Sequence, residues 1–390
     1  MNKKDDRLDL PELRQKVLDM RSAEIGMHGL KLVDEEFIFV YDETNNFRKL
    51  YLRDGGFNVQ SLGDFVLGGV MFPNGKVELP VQNLRERMTL DKGIKDIKLK
   101  HICRGGAFAD LLQSKKMAPF LDWFDENDLI LHFSRIEPFY WSVVDIVDSI
   151  ACEIPKFIPH VFHLKSDLVE CLFDNLETTI QVFERYRYPC IQPNERSEFI
   201  EAILQMVVRS LSIEDFNKFM LLKFLEDGLN VNALPFIDEG PGEIPGMLIE
   251  KFGHYYRHRI VLFKNSIHLF DEEVEVKTFL ENDTVLPAFP ELRFSFLKSE
   301  DESAIQVSDM MMGLLGKLFA QVRGMTLKQI DMQFEDLSDI GKKNLETLAK
   351  IVNRSNDISS ALQHHICSAY DRKRFEHLLD LARQARTSNS

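Results

Sequence analysis

The sequence predicts an α/β fold in which a mixed sheet is flanked by helices, interrupted by a helical insertion and followed by a helical C-terminal extension. Short runs of apolar, β-branched and aromatic residues end at turn signals, which is typical of buried strands. Between and after them lie long segments that keep the helical period, above all over residues 140–229 and beyond 303. A chain of 390 residues can bury a large core as one elaborated domain or two.

Taken in order, the elements divide the chain into five parts. We expect an N-terminal helix in residues 1–35, a first part of the sheet domain over 36–138 and a helical insertion over 139–230. The second part of the sheet domain follows over 231–325 and the helical extension over 326–390. The predicted strands are 37–41, 48–52, 65–72, 129–136, 233–237 and 292–296, with 260–263 and 267–270 paired as a hairpin.

Composition narrows the class of protein. A net charge of −14 argues against a protein whose whole surface binds nucleic acid, although it leaves room for a local basic groove. The five cysteines are scattered and form no CxxC pair, which predicts reduced thiols and no zinc knuckle. Because no signal peptide or run of transmembrane length is present, we expect a soluble, cytoplasmic protein that does not bind a membrane.

Acidic residues stand at the ends of two predicted strands and in one helix. Asp42 and Glu43 follow the strand 37–41, and Asp238 ends the strand 233–237 in the same way. Asp309 falls in the first turns of the helix that begins near residue 303. A carboxylate at the tip of a central strand is held by rigid backbone and is open to solvent, which suits a metal ligand. Taken singly, each acid also fits a strand-ending turn or a helix N-terminus.

Three such carboxylates are what phosphodiester hydrolysis by two divalent ions requires. Hard oxygen ligands bind Mg²⁺ or Mn²⁺, and two ions about 3.5–4 Å apart activate water and stabilise the leaving oxygen. This chemistry needs no side-chain nucleophile, and the sequence contains no recognisable Ser-His or Cys-His motif and no phosphate-binding GxxxxGK[ST] loop.

Four short motifs, met in order, resemble domain-of-unknown-function family 3800, a group regarded as RNase H-like. The sequence departs from the family at Thr44 and Asn45 for Ser and Gly, at Ser308 for Ala and at Asp96 for Glu, and none of these changes removes a metal-binding carboxylate. The resemblance covers roughly residues 36–136 and 232–320. The matching residues are Asp42-Glu43-Thr44-Asn45 for the DESG-type strand end, Asp96-Ile97-Lys98 for Glu-x-Lys, Asp238-Glu239 for a later strand end, and Gln306-Val307-Ser308-Asp309 for Gln-x-Ala-Asp.

The resemblance implies a fold, an activity and a set of site residues. The fold would be RNase H-like, and the activity would be that of a nuclease that uses Mg²⁺ or Mn²⁺ to cleave RNA or DNA. Asp42, Asp238 and Asp309 would be metal ligands and catalytic residues, with Asp96 or Glu43 as the fourth ligand. Lys98 would face a phosphate of the substrate.

Basic residues suggest where a nucleic acid would lie. Lys98, Lys100 and Arg104 belong to a lysine-rich stretch that fits a phosphate track, and a solvated surface is the alternative. Arg257 lies in a basic, aromatic helix end that fits contact with a nucleic-acid backbone. His254 and His258 are one helical turn apart, but no Glu follows His254 in the HExxH manner.

The sequence also suggests partners and an alternative function. The resemblance implies a context in phage defence, and the acidic surface favours a partner protein or a regulatory ATPase that helps to hold the substrate. The long helical additions favour a homo-oligomer. The alternative is a catalytically inactive RNase H-like scaffold that binds a partner protein or oligomerises.

Overall fold

The computed structural model describes residues 9–73, 79–91, 93–94, 96–103, 106–210, 216–240, 242–298 and 302–388. Its strands are β1 (Phe37–Thr44), β2 (Leu50–Arg53), β3 (Gly56–Phe57), β4 (Phe65–Pro73), β5 (Ile130–Ile136), β6 (Met247–Ile249), β7 (Ile267–Asp271), β8 (Arg293–Leu297) and β9 (Gln363–Ile366). Its helices are α1 (Leu10–His28), α2 (Val81–Arg87), α3 (Phe108–Gln113), α4 (Met117–Glu126), α5 (Pro138–Glu153), α6 (Val161–Asp174), α7 (Leu176–Arg185), α8 (Arg196–Arg209), α9 (Phe216–Gly228), α10 (Gly253–Leu262), α11 (Val274–Glu281), α12 (Ser303–Val322), α13 (Leu327–Glu335), α14 (Asp339–Ile358) and α15 (Ala369–Ser388).

The central sheet is mixed and has the strand order β8-β7-β1-β4-β5-β9. β1, β4 and β5 pair antiparallel in the order in which they occur along the chain. β7 lies parallel to β1, β8 lies parallel to β7, and β9 lies parallel to β5. The prediction of an α/β fold with a mixed sheet flanked by helices is confirmed, and β2, β3 and β6 form a separate three-stranded sheet.

Helix α12 is the element that packs across the centre of this sheet, against β1 and β4. Its small residue Ser308 lies against Gly69 of β4, where an added Cβ would collide with the Ser308 side chain and the Val40 carbonyl. The Ser308 hydroxyl donates to the carbonyl of Ala304 at 2.8 Å and accepts from the amide of Val70 at 3.3 Å. This close approach sets the distance between α12 and the sheet whose strand β1 contains Asp42.

The helical insertion, α5 to α9, packs around its own hydrophobic cluster, in which Leu168, Phe199 and Phe224 are fully buried. A buried group of charges marks the point where the insertion leaves the sheet. Asp64 binds both Arg135 and Arg323, and Arg323 also contacts Glu137 at 3.1 Å. This group, Asp64, Arg135, Glu137 and Arg323, is called the ion network below.

The C-terminal segment contributes more than helices. β9 adds an edge strand beside β5, a position that its polar sequence did not predict. α14 and α15 pack together and complete the main core cluster with Leu345, Leu348 and Phe375. None of the helices in the described part of the chain is both long and apolar enough to span a bilayer.

Two strand predictions are wrong. Residues 233–237 form a turn with one isolated bridge between Ile191 and Asp238, and Pro235 has no N–H to donate to a ladder. Residues 260–262 continue helix α10, with Ile260 and Leu262 buried, so they form no hairpin with 267–270. Strand β7 instead pairs with β1, which is far away in sequence, and with β8.

Candidate functional site

Asp42 lies near the end of β1, in the middle of the sheet between β7 and β4. It pairs with Gly68 in the antiparallel ladder, and only 8% of the residue is exposed. Its Oδ1 accepts a hydrogen bond from the Glu43 amide at 2.6 Å. The apolar run before it forms the strand because its side chains fill the core on both faces, which brings a carboxylate to the boundary of that core.

Asp271 is the acid that the fold brings beside Asp42. The parallel register pairs Tyr41 with Phe270, and one residue further on the same register aligns Asp42 with Asp271, the last residue of β7. Sequence reasoning missed this residue. The signal was present, because Ile267–Phe270 is followed by acidic residues just as the strand before Asp42 is.

Asp309 joins these two acids from above the sheet. It follows Ser308, the residue that seats α12 against β4. Burial raises the pKa of Asp309, Lys98 opposes the rise, and Asp271 and Asp96 add to it. Asp309 thus lies within electrostatic range of Asp42, although the two are far apart in sequence, since burial and then the charge of Asp309 raise the pKa of Asp42.

The carboxylates of this acid site, Asp42, Glu43, Asp271 and Asp309, disfavour one another's ionisation. Burial raises the pKa of Asp42 well above its ordinary value, and the charges of Asp309, Glu43 and Asp271 raise it further. Burial also raises the pKa of Glu43 to about 7. Among the described residues, neither Asp42 nor Asp309 forms an ion pair, so a bound cation would relieve the repulsion.

A lysine-bearing loop lies against the same helix. The side-chain Oε1 of Gln306 accepts a hydrogen bond from the Ile97 amide at 3.0 Å and so holds the loop against α12. Lys98 and Lys100 are exposed, and both lower the pKa of Asp309. A buried oxygen of Asp96 has no hydrogen-bond partner within the described residues, which suits a ligand. Arg104, predicted to extend this track, lies outside the described residues.

Asp238 is placed elsewhere, and its prediction as a site residue is corrected. Its two carboxylate oxygens accept from Nε and Nη2 of Arg196 at 2.6 and 2.7 Å, and the Leu234 amide donates to it at 2.8 Å. These bonds neutralise the carboxylate within the helical insertion. Arg257 is likewise engaged, since Nη1 donates to Asp283 at 2.7 Å, so it is not set aside for a phosphate.

The donor set of the acid site fits a hard divalent cation by its chemistry. Carboxylate oxygens are the ligands that Mg²⁺ and Mn²⁺ prefer, and burial together with neighbouring acids raises the pKa of Asp42 and of Asp309. Among the residues that the structure describes, no group of three or more His, Cys, Asp or Glu side chains is arranged so that it could hold a metal ion. Binding would therefore require the side chains to draw together.

Comparisons with protein-family models, with curated proteins and with solved structures find no match to this chain.

Proposed function

We propose that this protein is a divalent-metal-dependent nuclease that hydrolyses phosphodiester bonds of RNA or DNA. One observation carries the proposal. Three separate elements, β1, β7 and α12, bring Asp42, Asp271 and Asp309 into one partly buried site, and the pKa of Asp42 is raised by burial and then by the charges of its acidic neighbours. Acids with raised pKa values grouped in this way are typical of functional sites.

The sheet topology supports an RNase H-like assignment within this proposal. β1, β4 and β5 form an antiparallel series, and β7 and β8 are added as parallel strands on the free side of β1. This is the arrangement expected of an RNase H-like sheet, with Asp42 on the central strand. The assignment also agrees with the resemblance of Gln306-Val307-Ser308-Asp309 to the late-helix motif.

In the proposed mechanism, the chain's residues hold the cation and orient the substrate. Mg²⁺ or Mn²⁺, when bound, would supply an activated water and stabilise the charge that develops on phosphate. Asp42, Asp271 and Asp309 would hold it, and Glu43 and Asp96 are the neighbouring carboxylates that could complete the set. Lys98 would attract a phosphate as an exposed point charge, because Gln306 keeps its loop against α12.

The substrate and setting follow from the same proposal. An acidic chain holds a polyanion poorly over its whole surface, so binding would depend on the local lysines and on a partner protein, a regulatory ATPase or a second copy of this chain. A cytoplasmic role in phage defence rests on the resemblance alone.

The second candidate is a catalytically inactive RNase H-like scaffold. It is favoured by the finding that the described acids form no ready-made metal group. It is also favoured by the insertion, which exposes about half of Ile158, Phe162 and Phe219 and so offers apolar contact surface for a partner.

A cleavage assay tests the proposal. Purified protein is titrated with Mg²⁺ or Mn²⁺ against labelled single-stranded RNA, single-stranded DNA and duplex DNA, with Asp42→Asn beside the wild type. We expect metal-dependent cleavage that Asp42→Asn abolishes. The matched control is Asp54→Asn, a strongly exposed acid that should keep full activity. If the wild type cleaves none of the three substrates with either metal, the scaffold becomes the better account.

A further inference from the structure

A cavity of about 280 Å³ lies away from the acid site, between α1, α6, α10 and the edge strand β9. Basic and hydrogen-bonding side chains dominate its polar lining, although the chain as a whole is acidic. Its basic and amide side chains belong to His28, Arg259, Gln363, His364, His365 and Arg372.

Arg259 is the unusual member of this lining, because it is a buried cation to which no carboxylate of the described residues is bonded. The residue is 1% exposed. Its Nη1 donates to the Ala361 carbonyl at 2.9 Å, and its guanidinium lies over the Phe263 ring at 4.7 Å. Nε and Nη2 have no hydrogen-bond partner among the described residues. Burying a cation without a bonded anion is costly, so such a group is normally paired.

The acids of the chain do not supply that anion. Glu24 lines the same cavity and attracts Arg259 electrostatically, but its carboxylate is bonded to His258 Nε2 at 2.9 and 3.1 Å. The Tyr41 hydroxyl also lies beside the guanidinium and can accept one of its N–H groups, and it is itself hydrogen-bonded to His268 at 2.9 Å. Arg259 therefore faces the cavity with donors that no carboxylate of the described residues occupies.

Further donors surround the same space. The Nδ1 atoms of His364 and His365 are buried without a hydrogen-bond partner among the described residues. A neutral imidazole can donate from one of its two nitrogens, so the His364 ring can offer an N–H to an acceptor in the cavity. Successive side chains of a strand point to opposite faces, and the His365 ring lies on the other face of β9, against the Phe133 ring. Arg372 brings a second guanidinium, of which Nε donates to Glu376 at 2.9 Å. Fixed N–H groups of this kind recognise oxyanions.

From this arrangement we propose that the cavity binds a phosphate group, either free or as a phosphate monoester, through Arg259, Arg372 and His364. The volume is small for an organic ligand, which fits a phosphate as the recognised part. A neighbouring cavity of about 250 Å³ shares Gln363, His365 and Arg372 and adds the amide side chains of Asn353 and Asn356. It gives room for the organic part of a monoester.

Isothermal titration calorimetry at fixed ionic strength tests this proposal with two probes, inorganic phosphate and adenosine 5′-monophosphate. The host is the full chain carrying Asp42→Asn, in EDTA, so that no metal at the acid site can bind the probe. Wild-type cavity residues should give saturable binding of at least one probe. Binding of phosphate alone would identify the free ion, and tighter binding of the nucleotide would identify a monoester.

Two cavity variants make the test specific. Arg372→Ala should weaken binding by about tenfold or more, because a charge-assisted bond to phosphate is lost. Arg259→Gln should abolish binding. Arg87→Ala, which removes an exposed arginine paired with Glu126, is the matched control and should change nothing.

The proposal is overturned if neither probe binds, or if Arg372→Ala and a folded Arg259→Gln bind as tightly as the host. Because the host protein is measured without metal and without cleavage, this outcome is independent of whether the chain is a nuclease.

Discussion

The ion network and the acid site are both buried groups of charges, and they are built in opposite ways. In the ion network, Asp64 is bonded by two arginines, and Glu137 also accepts from the amides of Phe139 and Tyr140. In the acid site, the one hydrogen bond to Asp42 from the described residues comes from the neighbouring amide, and burial and then three further carboxylates raise its pKa.

The difference separates a structural role from a functional one. A bonded ion pair at the base of the insertion holds α5 and the sheet in one arrangement, and removing one partner leaves a buried charge uncompensated. Carboxylates that repel each other contribute nothing of that kind to stability, and they are retained where a cation or a proton is to be bound. We therefore expect substitutions in the two groups to change different properties.

The largest expected effect is on cleavage. Asp271→Asn should lower kcat/KM of metal-dependent cleavage by about 100-fold or more, since a ligand charge is lost at the place where the metal stabilises the reacting phosphate. Initial rates with the substrate found in the cleavage assay would measure it. Full activity in Asp271→Asn would mean that the register of β1 and β7 does not define the site.

The next effect is on stability and has opposite signs in the two groups. Arg135→Met should lower the free energy of unfolding by about 3 kcal/mol, because the buried Asp64 loses one of its two arginine partners. Asp42→Asn should leave the protein equally stable or more stable, because it removes a repelled charge. Urea denaturation followed by circular dichroism measures both, and equal losses would remove the distinction between the two groups.

A pH effect comes next. Because burial raises the pKa of Glu43 to about 7 from 4.5, the folded protein binds its proton more tightly than the unfolded chain does. The stabilisation from this group is present below the unfolded pKa and is lost as pH rises toward 7. In EDTA, the urea midpoint of the wild type should fall between pH 5 and pH 7.5 by more than that of Glu43→Gln. Parallel pH profiles of the two proteins would contradict this.

The smallest effect is expected at the lysine loop. Lys98→Ala should raise KM by about fivefold and make it less sensitive to salt, because one phosphate contact is lost. Lys317→Ala, a charge-matched change on the exposed side of α12, should leave KM unchanged. An unchanged KM for Lys98→Ala at low salt would place the substrate on another face.

Local patterns predicted the parts of the site that depend on one element. The apolar run before Asp42 predicts β1, and the helical period around Gln306 and Asp309 predicts α12. Which acids meet depends on pairing between distant strands, and this the sequence did not reveal. The apolar run 260–263 fits a strand or a helix equally well. Because it was predicted to be the hairpin partner of 267–270, the pairing of β7 with β1, which brings Asp271 beside Asp42, was not predicted.

Asp238 shows that a local pattern can also predict a site residue that tertiary contacts place elsewhere. Its sequence repeats the pattern of Asp42, but Arg196, which lies 42 residues earlier, binds both of its carboxylate oxygens. β9 was missed because its residues Gln363–Ile366 are mostly polar and follow no strand pattern. It becomes a strand through pairing with β5, which is a tertiary effect.

The most direct test of the central claim is a Mn²⁺ titration of the purified protein followed by electron paramagnetic resonance, which reports free Mn²⁺. The account predicts saturable binding to the wild type, weakened about tenfold or more in Asp42→Asn and in Asp271→Asn, and unchanged in a folded Asp238→Asn. Absence of binding, or binding that Asp238→Asn weakens while Asp42→Asn and Asp271→Asn do not, would contradict the claim that β1, β7 and α12 form a metal site.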